Sequence, residues 1–265
     1  MSFLTLDHVS HHYFSKNNYT KALNNISMSV KEGEFIALLG PSGCGKSTLL
    51  SIMAGIIRHT EGKVLLQGDE VGESELDIGY MLQQDYLFPW KTIIDNVLLG
   101  PKINRNITEE LKERAIKLLR EVGLNNVTLK YPNELSGGMR QRVALVRTLI
   151  NDPKILLLDE PFSALDYQTK LNLEDLVSDL LKTYHKTAIL VTHDIGEAIA
   201  MSDRIFMMNT NPGSIAKIYD VPLELRNEIP FLSRRHPKYQ ILFDKIWNEL
   251  EAKESEKKAV KIPNE

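Results

Sequence analysis

The sequence predicts an α/β fold with a parallel central sheet, an antiparallel β region at the N-terminus and an inserted helical subdomain. Residues 33–40, 154–159 and 187–192 each contain a short run of consecutive apolar residues, which is typical of short strands that are covered on both faces. A helical pattern over residues 173–180 separates the last two runs. Strand, helix and strand in that order imply a right-handed parallel crossover.

Two further strands are predicted before the first apolar run, at residues 3–9 and 22–30, where apolar and polar residues partly alternate. Residues 47–54 carry apolar side chains as a buried helix would, and Gly55 follows as a typical helix end. A last strand is predicted at residues 205–208.

The middle third has a different pattern from the rest of the chain. Residues 109–122 and 139–150 place apolar side chains at helical spacing, so we expect a helical subdomain at residues 87–152. The other predicted parts are a first core part at 1–86, a second core part at 153–228, a C-terminal helical extension at 229–250 and a charged tail at 251–265. The tail is low in apolar residues and is predicted to be disordered.

Bulk properties exclude several function classes. The 265 residues carry a net charge of only -3, which gives no basic field for nucleic acid. Cys44 is the only cysteine and cannot form an internal disulfide, which fits a reducing compartment. We see no signal peptide, and no apolar run is long enough to span a bilayer. A role at a membrane would therefore require another chain.

A phosphate-binding loop is predicted between the first apolar run and the first helix. The segment matches G-x-x-x-x-G-K-[ST] and consists of Gly40, Pro41, Ser42, Gly43, Cys44, Gly45, Lys46 and Ser47, followed by Thr48. Backbone amides of such a loop and the following helix N-terminus bind phosphate oxygens. Lys46 would contact the β- and γ-phosphates of a nucleotide, and the Ser47 hydroxyl would bind Mg²⁺. The alternative is a glycine-rich turn without a ligand. For Cys44, a variable loop position is favoured over a redox switch.

A pair of carboxylates follows the second apolar run. Asp159 and Glu160 are successive residues at a strand end, so their side chains point in different directions and can take different roles. Asp159 is suited to hold Mg²⁺, and Glu160 to act as general base on the attacking water. In isolation such a pair would more often begin a solvated loop; behind a complete phosphate loop the catalytic interpretation is favoured.

The segment Leu135-Ser136-Gly137-Gly138-Met139-Arg140-Gln141-Arg142 resembles the signature motif of the ATP-binding cassette family. The resemblance covers roughly residues 3–220 and implies a P-loop NTPase core of the RecA-like type. A serine and two glycines at a helix start also leave backbone amides open to an anion. The alternative is an ordinary helix cap joined to a glycine turn.

The resemblance implies a homodimer in which two cassettes face each other head to tail. Each ATP would lie between the phosphate loop of one chain and the Ser136, Gly137 and Gly138 of the other. Asp166 matches the D-loop of the family, and His193 matches the switch histidine that contacts the γ-phosphate. Gln83 matches the Q-loop glutamine, a contact to Mg²⁺ and the attacking water, although Gln84 is adjacent.

An aromatic residue near the N-terminus is expected to stack on adenine. Tyr13 is the candidate, with Phe14 and Tyr19 as neighbours that no sharp motif excludes. Surface or core packing of the aromatic is the alternative to stacking.

A partner surface is predicted after the Q-loop, at Tyr86, Leu87, Phe88 and Trp90. In the family this region receives a helix of the membrane permease, and helix-in-groove binding needs such apolar anchors; core packing is the alternative. The Phe88-Pro89-Trp90 stretch and the short tail are similar to the nitrate, sulfonate and taurine group of bacterial importers.

The resemblance thus implies an importer ATPase that is peripheral on the cytoplasmic face of the membrane, served indirectly by an extracytoplasmic solute-binding protein. The alternatives are an exporter ATPase with separate membrane subunits, a soluble cassette acting on DNA or ribosomes, and a nucleotide-binding adaptor that does not hydrolyse ATP. The low net charge gives no support to nucleic acid as a partner. The presence of Glu160 and His193 argues against the adaptor.

Overall fold

The computed structural model describes residues 2–15, 18–71 and 78–260. The strands are β1 (Leu4–Ser15), β2 (Asn18–Val30), β3 (Phe35–Leu39), β4 (Glu61–Leu66), β5 (Asp69–Glu70), β6 (Ile78–Met81), β7 (Ile155–Asp159), β8 (Thr187–Thr192), β9 (Arg204–Asn209) and β10 (Ser214–Asp220). The helices are α1 (Lys46–Met53), α2 (Ile93–Val97), α3 (Leu99–Ile103), α4 (Glu109–Glu121), α5 (Gly137–Leu149), α6 (Tyr167–Thr183), α7 (Ile195–Met201), α8 (Leu223–Arg226), α9 (Pro230–Ser233) and α10 (Pro237–Val260).

The central sheet has the strand order β10-β9-β3-β8-β7-β6. β9, β3, β8, β7 and β6 are parallel, and β10 pairs with β9 in the antiparallel direction. Successive residues of β7 alternate between two apolar clusters: Ile155 and Leu157 lie in one, Leu156 and Leu158 in the other. Both faces of the sheet are therefore covered, which explains why β3, β7 and β8 consist mostly of apolar residues.

Two layers cover the central sheet on opposite faces. The antiparallel sheet, of order β2-β1-β4-β5, shares one apolar cluster with α1 and with alternate residues of β3, β7 and β8. Residues of α4, α5 and α6 share the cluster on the other face. A third cluster joins α7 and α10 to β9 and β10. The observed α/β fold with an antiparallel β region confirms the predicted fold class.

The structure differs from the sequence prediction in several elements. β1 extends to Ser15, and β4, β5, β6 and β10 were not predicted. Disorder from residue 251 was wrong for residues 251–260, because α10 continues to Val260. This stretch is rich in Glu, Lys and Ala, which are strong helix formers even when they bury little apolar surface. Residues 261–265 lie outside the described residues.

Within the described part of the chain, the helices are too short or too polar for any of them to cross a membrane.

Candidate active site

Parallel strands place the predicted site at one edge of the central sheet. β3, β6, β7 and β8 run in the same direction, so the segments that follow them meet at their carboxyl ends. These segments carry Lys46, Gln83, Glu160 and His193. Ligands of open α/β sheets characteristically bind outside the carboxyl ends of the strands.

The loop after β3 folds around the Lys46 ammonium group. Its Nζ donates to the backbone oxygens of Gly40 at 2.7 Å and Pro41 at 3.1 Å, and the side chain is buried. Gly45 has a φ of 91°, and a Cβ there would lie 2.7 Å from a methyl group of Leu23. Only glycine fits this turn, which allows α1 to begin directly behind the loop. Burial raises the pKa of the Cys44 thiol, so the neutral thiol is favoured and a reactive thiolate is not.

Ser47 and Asp159 bring two oxygen ligands together beside this loop. The Ser47 hydroxyl donates to Asp159 Oδ1 at 3.0 Å, and the Tyr80 hydroxyl donates to Asp159 Oδ2 at 3.3 Å. Burial raises the pKa of Asp159, while the hydrogen bonds from Ser47 and Tyr80 oppose that rise. A hydroxyl and a carboxylate in contact form the oxygen pair that Mg²⁺ prefers when phosphates supply further ligands.

Glu160 and His193 form a second contact at the same edge. Glu160 Oε2 lies 3.2 Å from His193 Nδ1. The backbone of Glu160 has a φ of 45°, unusual for a non-glycine residue, and its N–H donates to the Val191 oxygen at 3.0 Å. This turn directs Glu160 towards His193 while Asp159 contacts Ser47. The imidazole is largely exposed, as a group that must meet a ligand or a partner would be.

Gln83 contacts the loop that follows β7. Its Nε2 donates to the Ser163 hydroxyl at 3.2 Å, which in turn donates to the Glu160 backbone oxygen at 3.0 Å. Gln141 of α5 is buried, and its Nε2 donates to the backbone oxygens of Pro161 at 2.8 Å and Gln83 at 3.4 Å. No role for Gln141 was inferred from the sequence, where it is one polar residue of the signature segment.

The structure separates the three candidate aromatics near the N-terminus. The Tyr13 hydroxyl lies 3.2 Å from Thr48 Oγ1, at the first turn of α1, and the residue is 45% exposed. The rings of Phe14 and Tyr19 instead lie beside His12. Tyr13 is thus placed next to the phosphate loop with part of its ring free for a ligand.

The predicted signature residues lie at the start of α5. Ser136 is the N-cap and accepts from the Met139 N–H at 3.4 Å. A Cβ added to Gly137 would meet nothing closer than Arg140 Nη2 at 3.9 Å, so this face is open. A Cβ at Gly138 would lie 2.4 Å from Thr169 of α6. Asp166 caps α6 by accepting from the Thr169 N–H at 3.1 Å. The signature end therefore contacts α6, whereas Lys46, Ser47, Asp159, Glu160 and His193 are linked to the sheet edge.

The predicted partner surface is only partly exposed. Tyr86 is 58% and Trp90 70% exposed, and Phe88 is half-buried with its ring 5.2 Å from that of Trp90. Leu87 was predicted to lie on this surface, but it is buried in the apolar cluster that includes α5. The positive φ of Tyr86, 42°, accompanies a turn in which residue 87 enters the core while residue 86 stays outside.

Two arginines of α5 hold this surface loop. Arg140 Nε lies 2.9 Å from Asp85 Oδ2, and Arg147 donates to the backbone oxygens of Asp85 at 2.6 Å and Tyr86 at 2.9 Å. These contacts were not inferred from the sequence, because they join residues that are far apart along the chain.

Comparison with known proteins agrees with this arrangement. The family model described as ABC transporter matches residues 23–163. The chain is 58% identical to the uncharacterized ABC transporter ATP-binding protein YtlC of Bacillus subtilis, over 97% of this chain and 99% of the relative. It is 38% identical to the aliphatic sulfonates import ATP-binding protein SsuB of Bacillus licheniformis, over 91% and 92% of the two chains.

Among solved structures, the chain is similar to the dimeric, post-hydrolysis state of the ATP-binding cassette MJ0796 bound to ADP and Pi. The TM-score is 0.74 at 31% sequence identity, over 83% of this chain and 99% of the other.

Proposed function

The chain belongs to the ABC transporter family as an ATP-binding subunit that hydrolyses ATP, and from this premise we propose that it drives import of sulfonates, taurine, nitrate or related small solutes. Its similarity to an aliphatic sulfonates import protein supports that solute group. The chain would be peripheral, on the cytoplasmic face of the membrane, bound to permease subunits and served indirectly by an extracytoplasmic solute-binding protein.

One observation carries the proposed mechanism: two polar pairs meet at the carboxyl edge of the sheet beside the phosphate loop. Ser47 and Asp159 form one pair at 3.0 Å, and Glu160 and His193 form the other at 3.2 Å. The first pair fits a hard cation and the second fits an attacking water next to the γ-phosphate. The two successive carboxylates therefore have separate tasks.

In this mechanism the loop amides and Lys46 bind the phosphates of ATP, and Tyr13 stacks on adenine. Lys46 would exchange its bonds to loop carbonyls for bonds to phosphate oxygens. Ser47, Asp159 and Gln83 would hold Mg²⁺, which neutralises charge on the phosphates when it is bound. Glu160 takes a proton from the attacking water, and His193 contacts the γ-phosphate and orients Glu160.

A second copy of the chain completes each site in this proposal. Ser136, Gly137 and Gly138 would contact the γ-phosphate held by the other copy, with Asp166 beside them. The open face at Gly137 supports this arrangement, because among the described residues no atom comes closer to an added Cβ than Arg140 Nη2 at 3.9 Å. Closing of the dimer on ATP and reopening after hydrolysis would move the permease between its two states.

The decisive experiment compares the wild type with Glu160→Gln in Mg-ATP, following phosphate release and oligomeric state together. We expect slow turnover in the wild type, and in the variant a stable dimer with turnover reduced by at least about a hundredfold. Glu70→Gln, at an exposed carboxylate on β5, is the matched control. A Glu160→Gln variant that hydrolyses ATP at the wild-type rate would exclude Glu160 as the base.

The solute class requires the assembled transporter. Proteoliposomes that contain the permease and this chain, with ATP on the side of the chain, should take up a radiolabelled alkanesulfonate only when the binding protein is on the other side. ATP-driven movement of solute towards the side opposite the chain would support export instead.

A further inference from the structure

A lysine that takes no part in the contacts at the sheet edge joins the first turn of α6 to the segment that follows His193. Lys170, in the first turn of α6, places its Nζ 2.6 Å from Asp194 Oδ2 and 2.6 Å from Glu197 Oε1. The lysine side chain is 17% exposed and that of Glu197 only 4%. Two charge-assisted bonds in such a shielded position are strong and directional.

Asp194 and Glu197 belong to a hydrogen-bond network formed by residues on both sides of His193 in the sequence. The Thr192 hydroxyl donates to Glu197 Oε2 and accepts from the Asp194 N–H at 2.9 Å. Asp194 Oδ1 accepts from the N–H groups of Gly196 at 2.6 Å and Glu197 at 3.2 Å. The residues on both sides of His193 are thereby fixed, although the imidazole itself is exposed. The backbone that carries the imidazole is therefore held on both sides by this network.

The backbone of Lys170 lies in the first turn of α6, next to residues of the signature end. Its backbone N–H donates to the Asp166 oxygen at 2.9 Å, and the preceding residue, Thr169, packs against Gly138. Thr169 also donates its backbone N–H to the Asp166 side chain. One helical turn thus touches the signature segment, the D-loop aspartate and, through Lys170, the segment of His193.

We propose that Lys170 is a positioning residue that couples the two nucleotide sites of the dimer. The inference rests on the proposed head-to-tail dimer, in which Asp166 and Gly138 face the ATP of the partner while His193 faces the ATP of its own chain. When the first turn of α6 is drawn towards the partner's nucleotide, Lys170 carries the displacement to Asp194 and Glu197. His193 then reaches its working position at the second site.

Lys170→Met tests this coupling, because methionine keeps the apolar stem and removes the cation. We expect kcat to fall by about tenfold or more, as for a small misplacement of a group in the site. The Hill coefficient for ATP should fall from about 2 towards about 1. The nucleotide affinity of the monomer should change by less than about twofold, because Lys170 does not contact the phosphate loop.

Lys186→Met is the matched control. Lys186 is similarly shielded, with 14% of its side chain exposed, and its Nζ lies 2.9 Å from Asp152 Oδ1, a residue of the loop between α5 and β7. Losing that ion pair should lower stability and leave kcat and the Hill coefficient unchanged.

Two further variants separate coupling from simple charge neutralisation. Lys170→Met with Glu197→Gln removes the unpaired buried carboxylate, so it should regain thermal stability but keep the low Hill coefficient. Lys170→Arg can still bind both carboxylates and should keep most of the cooperativity. If the double variant recovers both stability and cooperativity, Lys170 only neutralises Glu197 and the proposal is wrong.

Failure of the dimer itself has a different signature. In that case the wild type would show a Hill coefficient of about 1, and Glu160→Gln would stay monomeric in Mg-ATP. Those results would overturn the coupling together with its premise, whereas a cooperative wild type with a fully cooperative Lys170→Met would overturn the coupling alone.

Discussion

The two ends of the candidate site differ in where their functional groups find partners. At the phosphate-loop end, Lys46 donates to carbonyls of its own loop, Ser47 donates to Asp159, and Glu160 lies against His193. At the signature end, Ser136 caps its own helix, and within the described part of the chain the face at Gly137 has no neighbour closer than Arg140. One end is preorganised within the chain, and the other presents an open helix start.

This difference indicates that a single chain holds two incomplete halves. An open helix N-terminus attracts anions, yet among the described contacts the phosphate loop forms no hydrogen bond with Ser136, Gly137 or Gly138. The phosphate-loop half can keep its arrangement in a single chain, because its polar groups already have partners there. The signature half has to obtain its phosphate partner from another chain. Mutations at the two ends should therefore be inactivating singly and complementary in mixtures.

The sharpest test combines Gly137→Asp with Lys46→Ala. The structure has room for a side chain at position 137, so the variant should fold normally, while its carboxylate would repel phosphate. We expect turnover to fall by at least about a hundredfold in each variant alone. A mixture should recover up to about a quarter of wild-type turnover, because half of the dimers contain one intact site.

Gly137→Ala is the control for this prediction, since it adds a side chain without charge and should retain most of the activity. Full turnover in Gly137→Asp would show that the signature end does not meet phosphate. Recovery that is absent although mixed dimers form would mean that one intact site is insufficient.

The second prediction concerns the phosphate-loop end alone. Tyr13→Ala should weaken ATP binding by about tenfold, since stacking of a base on an aromatic ring contributes roughly 1–3 kcal/mol. Tyr13→Phe loses only the contact to Thr48 and should change affinity little. Titration with a fluorescent ATP analogue measures both. Phe14→Ala is the matched control, because Phe14 is 76% exposed and its ring lies beside His12. Stronger loss in Phe14→Ala than in Tyr13→Ala would reverse the assignment.

The difference between local sequence patterns and contacts over long separations explains how much of the structure could be predicted from the sequence. The phosphate loop, β7 and β8 are local patterns in which a few adjacent residues determine strand, turn and chemistry. β8 was predicted at residues 187–192 and is observed at Thr187–Thr192. Ser47 and Asp159 were both predicted to hold Mg²⁺, but the contacts Ser47–Asp159 and Glu160–His193 themselves were not predicted. Both arise because the carboxyl ends of parallel strands meet.

Contacts across long sequence separations could not be predicted in the same way. Lys170 and Glu197 meet only because α6 packs against α7, and Arg147 and Tyr86 only because α5 packs against the loop after β6. β10 was missed because its exposed edge residues lack a regular apolar pattern. Leu87 was placed on the surface because its neighbours are aromatic, and only the turn at Tyr86 shows that it enters the core.

The third prediction concerns coupling between the signature end and the permease. α5 starts at the signature segment and holds the loop of Tyr86 and Trp90 through Arg140 and Arg147. Trp90→Ala should lower permease-stimulated hydrolysis a few-fold and leave the basal rate and melting temperature unchanged. Leu87→Ala should instead destabilise the chain by roughly 2–5 kcal/mol, as expected for a core leucine. Equal stimulation of Trp90→Ala and wild type would place the permease contact elsewhere.

The smallest effect is expected at a buried carboxylate of α6, the helix that contacts both ends of the site. Glu174 of α6 is fully buried beside Arg234, and its second oxygen has no hydrogen-bond partner among the described residues. Burial raises the pKa of Glu174 to about 7, against the opposing effect of Arg234. The native state therefore takes up a proton near pH 7, whereas the unfolded chain does so only near its ordinary pKa of 4.5.

Because the native state binds more protons in this window, its stability rises as the pH falls from 7.5 to 5 and is lost again as the pH rises. Glu174→Gln should remove that rise, so that the wild type gains about 2 kcal/mol relative to the variant between those pH values. Denaturant unfolding at both pH values measures the difference, and Glu70→Gln supplies the exposed control. Parallel pH profiles for wild type and Glu174→Gln would mean that Arg234 keeps Glu174 ionised, so that α6 is held by a charged pair rather than by a neutral acid.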